Sequence, residues 1–182
     1  MKRMMSFLPF FFALTLSLTA EEASDEKDIT DNSDQKDPAE GYWIATNQFT
    51  GEHLCGWKFF VRNGKLCGII LSAQLSDSST LSLRAHSSYP DFPVTGDIRK
   101  MKLFGTPWIY GLEKKADGVW RNGYIINPDD GNIYRCDITY HKADGIRHIK
   151  DYVQMHGTLL WLGLGASQKW PAGTKEEAEG IK

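Results

Sequence analysis

The feature that most constrains the fold is a run of eighteen residues, CGWKFFVRNGKLCGIILS, from Cys55 to Ser72. Two apolar stretches flank Asn63-Gly64, and a type I′ turn needs positive φ at both central positions, so the pair signals a tight β-hairpin. Pairing Arg62 with Lys65 sets Phe60 opposite Cys67, Phe59 opposite Gly68, Trp57 opposite Ile70 and Cys55 opposite Ser72. Similar turns recur at Lys115-Ala116-Asp117-Gly118, Pro128-Asp129-Asp130-Gly131 and Lys142-Ala143-Asp144-Gly145. No stretch between 41 and 170 sustains a helical period, so the chain reads as all-β. Expected strands include TLSLRAH (80–86), MKLFG (101–105) and segments near 157–162 and 166–170, whereas the prolines of SSYPDFPVTGD (87–97) argue for a link. About eight or nine strands joined by tight turns make an antiparallel up-and-down meander. With too few residues for two cores, it closes into a small β-barrel.

The ends read differently. Met1-Lys2-Arg3 precedes an apolar run without a charge before Glu21, too short for a confident membrane span and ending in a small residue. Residues 1–20 are therefore expected to be a cleaved signal peptide, with a retained anchor as the alternative, and the protein to be exported. Residues 21–40 carry nine acids and little to bury, which predicts an acidic disordered tail. One domain, 41–171, follows, and 172–182 forms a C-terminal tail with a short helix. From residue 41 onward, seventeen Lys and Arg oppose fourteen Asp and Glu without a basic cluster, which argues against a nucleic-acid partner.

Alternation assigns the interior. Tyr134, Cys136, Ile138 and Tyr140 share one face, and Trp57, Phe59, Val61, Leu66 and Ile70 share the matching one. These aromatic positions suit either a dry pocket or a filled core. Buried tyrosines need hydrogen-bond partners, as small-ligand sites supply. The candidate ligand-binding residues are Trp57, Phe59, Tyr110, Tyr134 and Tyr140, with Arg135, beside Arg121, as a cation for a carboxylate or phosphate at the barrel mouth.

Cys55 and Cys67 lie on opposite faces of the hairpin and ~16 Å apart along it, beyond the ~7 Å reach of a disulfide. Cys55 with Cys136 is the least excluded pair, and three free buried thiols are the alternative. His53-x-Cys55 lacks the companions of a zinc site, so neither metal nor cofactor is expected. His141, His148 and His156 have no Gly-x-Ser-x-Gly or reactive cysteine beside them, and no catalysis is expected.

The stretch from Trp120 to Cys136, WRNGYIINPDDGNIYRC, resembles the bacterial family known as domain of unknown function 2147, whose core runs Trp, Gly, Ile, a polar residue, Pro, Gly, Tyr and Cys at this spacing. Gly41-Tyr42-Trp43, Leu103-Phe104-Gly105 and Gly165-Ala166-Ser167-Gln168-Lys169-Trp170 add to the likeness. The resemblance implies an exported lipocalin-like barrel of the bacterial periplasm or cell envelope without an established activity, in which Trp43 closes the base. The expected function is binding of a small, largely apolar molecule, such as a fatty acid or lipid fragment, by a monomer. The alternatives are a solid-core module that meets another envelope protein, and a hydrolase.

Overall fold

The computed structural model describes residues 36–159 and 165–182. The expected signal peptide, the acidic segment up to residue 35 and residues 160–164 lie outside them. Eight strands follow one another: β1 (Gly41–Thr46), β2 (His53–Arg62), β3 (Lys65–Ala73), β4 (Pro107–Ala116), β5 (Val119–Ile126), β6 (Ile133–His141), β7 (Tyr152–Leu159) and β8 (Gly165–Pro171). Each pairs antiparallel with the next in a single meander. A bridge between Trp43 and Ala172, with Gly173 N donating to the Tyr42 carbonyl at 2.9 Å, brings β8 back to β1 and nearly closes the barrel.

The first hairpin has the expected register from Arg62↔Lys65 to Trp57↔Ile70. A bulge at Gly56/Trp57 then slips it by one residue, so Cys55 faces Ala73 rather than Ser72. The outer face at this point is taken by the short helix α1 (Lys175–Glu179), whose Ala178 carbonyl sits where a Cβ on Gly56 would be. Ser72 Oγ donates to that carbonyl at 2.7 Å. The C-terminal segment is thus docked on the barrel wall.

Two further bulges lie in β4 and in β5, where Trp120 and Gly123 stand three apart. Between Gly68↔Ile109 and Leu66↔Leu112, β3 advances two residues while β4 advances three. Between Trp120↔Ile138 and Gly123↔Cys136, β5 likewise advances three residues against two. The extra residues are absorbed next to Gly111 (φ 75°) and Asn122 (φ 64°), in the left-handed region. Trp120 and Gly123 therefore both face inward despite their odd spacing, and Gly123 leaves room for the Leu112 side chain. Outside, Asn122 N is held by Asp137 Oδ1 at 3.0 Å.

Four more expectations need correction. TLSLRAH (80–86) and MKLFG (101–105) form no strands beyond the single bridge Leu81↔Lys102, because both edges of β3 are already occupied by β2 and β4. Val61 is 37% exposed, since it lies past the last interior layer at the hairpin tip. Tyr110 points outward: it pairs with Tyr124, which pairs with Arg135, while the alternate row Ile109, Ile125 and Tyr134 faces in. Finally, the fold begins before Gly41. Asp37 is buried and accepts hydrogen bonds from Trp120 Nε1 (3.0 Å), Gly118 N (3.3 Å) and Ala39 N (2.9 Å), with Lys114 Nζ at 3.2 Å. Trp43 Nε1 donates to the Ala39 carbonyl at 2.9 Å. Residues 37–40 plug this end of the barrel.

Candidate binding site at the open end

The interior is filled from the plugged end upward. Trp43 packs against Phe59 and Tyr140 at ring-centroid distances of 6.5 and 6.3 Å, and Trp120, Leu112, Ile138 and Val153 complete these layers. Phe59 reaches the centre because a Cβ on Gly68 would collide with its ring. Above them Trp57 and Trp170 stack at 5.3 Å and 17°. Their indole N–H groups are satisfied two residues away, by Cys55 Sγ and Gln168 Oε1, both at 2.9 Å.

On top of this indole pair the inward positions become small: Ala45, Gly157 and Ala166 line a cavity of about 70 Å³ with Trp57, Ile70, Tyr134 and Met155. Gly157 is decisive, because a Cβ there would meet only the Met155 sulfur at 3.7 Å, the Tyr134 Cβ at 3.9 Å and the Arg135 carbonyl oxygen at 4.0 Å. Among the described residues, Asn127, Tyr134 and Gln168 are the polar side chains of the wall, and no charged side chain lines it. Among the described residues no buried side-chain nitrogen or oxygen lacks a partner. The cavity therefore offers contact surface and no unmet hydrogen bond, a composition that favours an apolar guest.

The Pro128-Asp129-Asp130-Gly131 turn stands at the mouth. Asn127 Oδ1 accepts from Asp129 N at 3.0 Å and Asp130 Oδ1 from Asn132 N at 2.8 Å, so these carboxamide and carboxylate groups shape the turn. The turn also anchors the long β3–β4 connection: Tyr89 Oη donates to the Gly131 carbonyl at 2.9 Å and Arg84 Nη1 to that of Asp129 at 3.3 Å. A side chain at Gly131 would run into the Arg84 carbonyl, and its φ of 75° adds a second reason for glycine. This connection builds a small core of its own on the outside of β4 and β5. There Phe92 meets Tyr110 edge-on at 5.2 Å, Tyr110 Oη donates to the Pro90 carbonyl at 2.9 Å, and Tyr110 lies 5.4 Å from Tyr124.

Of the six side chains singled out in the sequence, Trp57 and Tyr134 line the cavity. Phe59 lies in the layers beneath it. Tyr140 sits at the plugged end, where its hydroxyl donates to Asp151 Oδ2 at 2.6 Å and is pushed up to about 12, first by that bond and then by burial. Tyr110 is covered by the β3–β4 connection, and its hydroxyl is pushed up by burial. Arg135 lies 4.8 Å over the outer face of Tyr124, away from the cavity. Sequence reasoning missed Trp170, Met155, Gly157 and Ala166, although the alternation Met155-x-Gly157 and Ala166-x-Gln168-x-Trp170 carried the signal.

Cys55, Cys67 and Cys136 are free and buried, and burial pushes all three thiols up, which makes them poor nucleophiles. His53 is exposed while Cys55 is buried. No group of three metal-binding side chains occurs among the described residues. His156 Nδ1 lies 2.9 Å from Ser167 Oγ on the exposed outer face, but its other nitrogen meets Thr158 Oγ1 at 3.2 Å, so no carboxylate orients the ring.

Residues 41–171 match the family described as "Uncharacterized protein conserved in bacteria (DUF2147)". The chain belongs to the DUF2147 family. No curated protein matches it. Among solved structures, this DUF2147 chain is similar to a protein from Helicobacter pylori described as belonging to the lipocalin family, at 15% identity and a TM-score of 0.58, over 78% of this chain and 87% of the other. At that identity the likeness is one of fold: this DUF2147 member is an eight-stranded lipocalin-like barrel, an architecture suited to ligand binding. No helix among its described residues is long and apolar enough to cross a membrane.

Proposed function

We propose that this protein is an exported, monomeric, non-catalytic binding barrel of the bacterial envelope that takes the apolar end of a small molecule, such as a fatty acid or lipid fragment, into the open-end cavity. The observation that carries this reading is the cavity over the Trp57–Trp170 pair, kept open by Gly157 and lined, among the described residues, without a charge. Its size limits the guest. An apolar cavity of ~150 Å³ holds a benzene ring, so about 70 Å³ takes a few methylene groups. A longer chain leaves its head outside.

The filled layers below Trp57 favour a second reading, a solid-core module that meets another envelope protein through its surface. Native mass spectrometry of the protein from a native-like host separates the two. A small-molecule adduct that is lost on unfolding, and absent from a folded Gly157→Val protein, supports the binding barrel. A bare mass that persists after incubation with fatty acids and lipids refutes it.

A further inference from the structure

The loop between β6 and β7, residues 142–151, reads KADGIRHIKD and caps the plugged end of the barrel. Ile146 and Ile149 are each 89% exposed there. Single exposed apolar residues are ordinary, but these two stand on a backbone fixed in advance. Asp144 Oδ1 accepts hydrogen bonds from the backbone N–H groups of Ile146, Arg147 and His148 at 2.9, 2.8 and 2.8 Å, and Gly145 N donates to the His148 carbonyl at 3.1 Å. Asp151 pins the other side, accepting from Ala143 N at 2.8 Å and from the Tyr140 hydroxyl. The loop is thus held in a shape that presents two isoleucines, neither of which contributes to the core.

Its charges are sorted in the same way. Asp144 and Asp151 keep their negative charge but turn their oxygens to the loop's own N–H groups and to Tyr140, whereas Lys142 and Arg147 are exposed and form no ion pair among the described residues, Lys142 standing close enough to Asp151 to help hold its carboxyl below the usual range. Lys150 reaches Glu177 of α1 at 3.4 Å. Beside the loop, Lys169 of β8 lies 3.3 Å from His148 Nε2 and 5.1 Å over the Tyr152 ring, which also stacks on His141 at 4.7 Å. Bare isoleucines interleaved with exposed cations, four (Lys142, Arg147, Lys150 and Lys169) against the two aspartates of the loop, fit an interfacial membrane anchor: the apolar side chains enter the acyl boundary while the cations meet anionic headgroups.

We propose that the β6–β7 loop docks the protein on an anionic lipid bilayer, with Ile146 and Ile149 inserted and Lys142 and Arg147 at the headgroups. The cavity opens at the other end of the strands, about 25 Å away for an eight-residue strand. Docking therefore holds the mouth toward the aqueous side.

The test is co-sedimentation of the protein, purified as it accumulates in the cell, with phosphatidylethanolamine–phosphatidylglycerol vesicles and with phosphatidylcholine vesicles. Binding is expected to the anionic vesicles, with weakening in high salt. The double variant Ile146→Ser/Ile149→Ser should bind about tenfold or more weakly, and Lys142→Gln/Arg147→Gln roughly thirtyfold more weakly. Both should keep the parent unfolding midpoint, because the altered side chains are exposed. As a direct readout, Ile149→Cys can carry an environment-sensitive dye, since the three native thiols are buried; its emission should shift to the blue on anionic vesicles. The proposal is overturned by the absence of binding to anionic vesicles, by equal binding of parent and variants, or by a dye that stays in water while the protein sediments. Each of those results returns the loop to solvent or to a protein partner.

Discussion

Replacing Asp37 by alanine tests whether the barrel has a built plug at its closed end. The substitution removes the acceptor for three buried donors, Trp120 Nε1, Gly118 N and Ala39 N, and one partner of the half-exposed Lys114. Leaving a buried donor unmet costs about 1–3 kcal/mol, whereas the Lys114 pair contributes little at its exposure. Water entering the emptied site will satisfy the donor nearest solvent, so two unmet donors give a loss of about 3 kcal/mol. For a domain of this size that is a fall in Tm of roughly 10 °C. Asp37→Asn keeps one carbonyl oxygen for the indole and should lose about half as much. A double-mutant cycle with Trp120→Phe should show a coupling of about 1 kcal/mol or more between the two side chains. Urea and thermal unfolding of the four proteins measure all of this. A Tm within about 2 °C of the parent for Asp37→Ala, or strict additivity in the cycle, would refute the plug and return residues 37–40 to a loose tail.

Gly68→Ala places a methyl group within 2.8 Å of the Phe59 ring carbons and should destabilise by about 1–3 kcal/mol in urea unfolding, whereas Gly157→Ala, with nothing nearer than 3.7 Å, should be nearly neutral. Cys55, Cys67 and Cys136 should resist a thiol reagent at neutral pH until the protein is unfolded, and any fast-reacting equivalent would contradict their burial. Asp144 and Asp151 are both held below the usual carboxylate range, the first by backbone N–H groups and the second by the Tyr140 hydroxyl and then Ala143 N. Their folded-state values lie below the unfolded ones, so the stability they add is complete above a pH of about 4 and is lost as pH falls through the folded values. Asp151→Asn should flatten that acid limb in urea midpoints measured against pH, and an unchanged limb would exclude the carboxylate as its source.

The strand order was legible because turns and alternation act locally. Asn63-Gly64 fixed the first hairpin down to Trp57↔Ile70, and the Gly-containing turns marked three of the remaining connections. What failed were features decided by tertiary context. TLSLRAH has a strand's composition but no free edge to pair with. Tyr110 alternates with the right neighbours, yet its outward face is covered by Phe92 and Pro90 from a connection whose path no short pattern encodes. Burial alone therefore did not distinguish inside from outside. The bulge beside Asn122 did leave a trace, because Trp120 and Gly123 stand three apart and both face in. Asp37 was hidden among acids of similar appearance, and only its contact with Trp120 sets it apart. The cavity itself depends on which small residues meet across strands: Ala45, Gly157 and Ala166 come from β1, β7 and β8.

The most direct test of the binding reading is calorimetric titration of the parent and of Gly157→Val with straight-chain fatty acids of increasing length. Binding to the parent that strengthens over the first few methylene groups and then levels, with a negative heat-capacity change, is the predicted result, together with loss of binding in the folded Gly157→Val protein. Equal affinities in the two proteins, or no heat in either, would contradict a ligand seated on the Trp57–Trp170 pair.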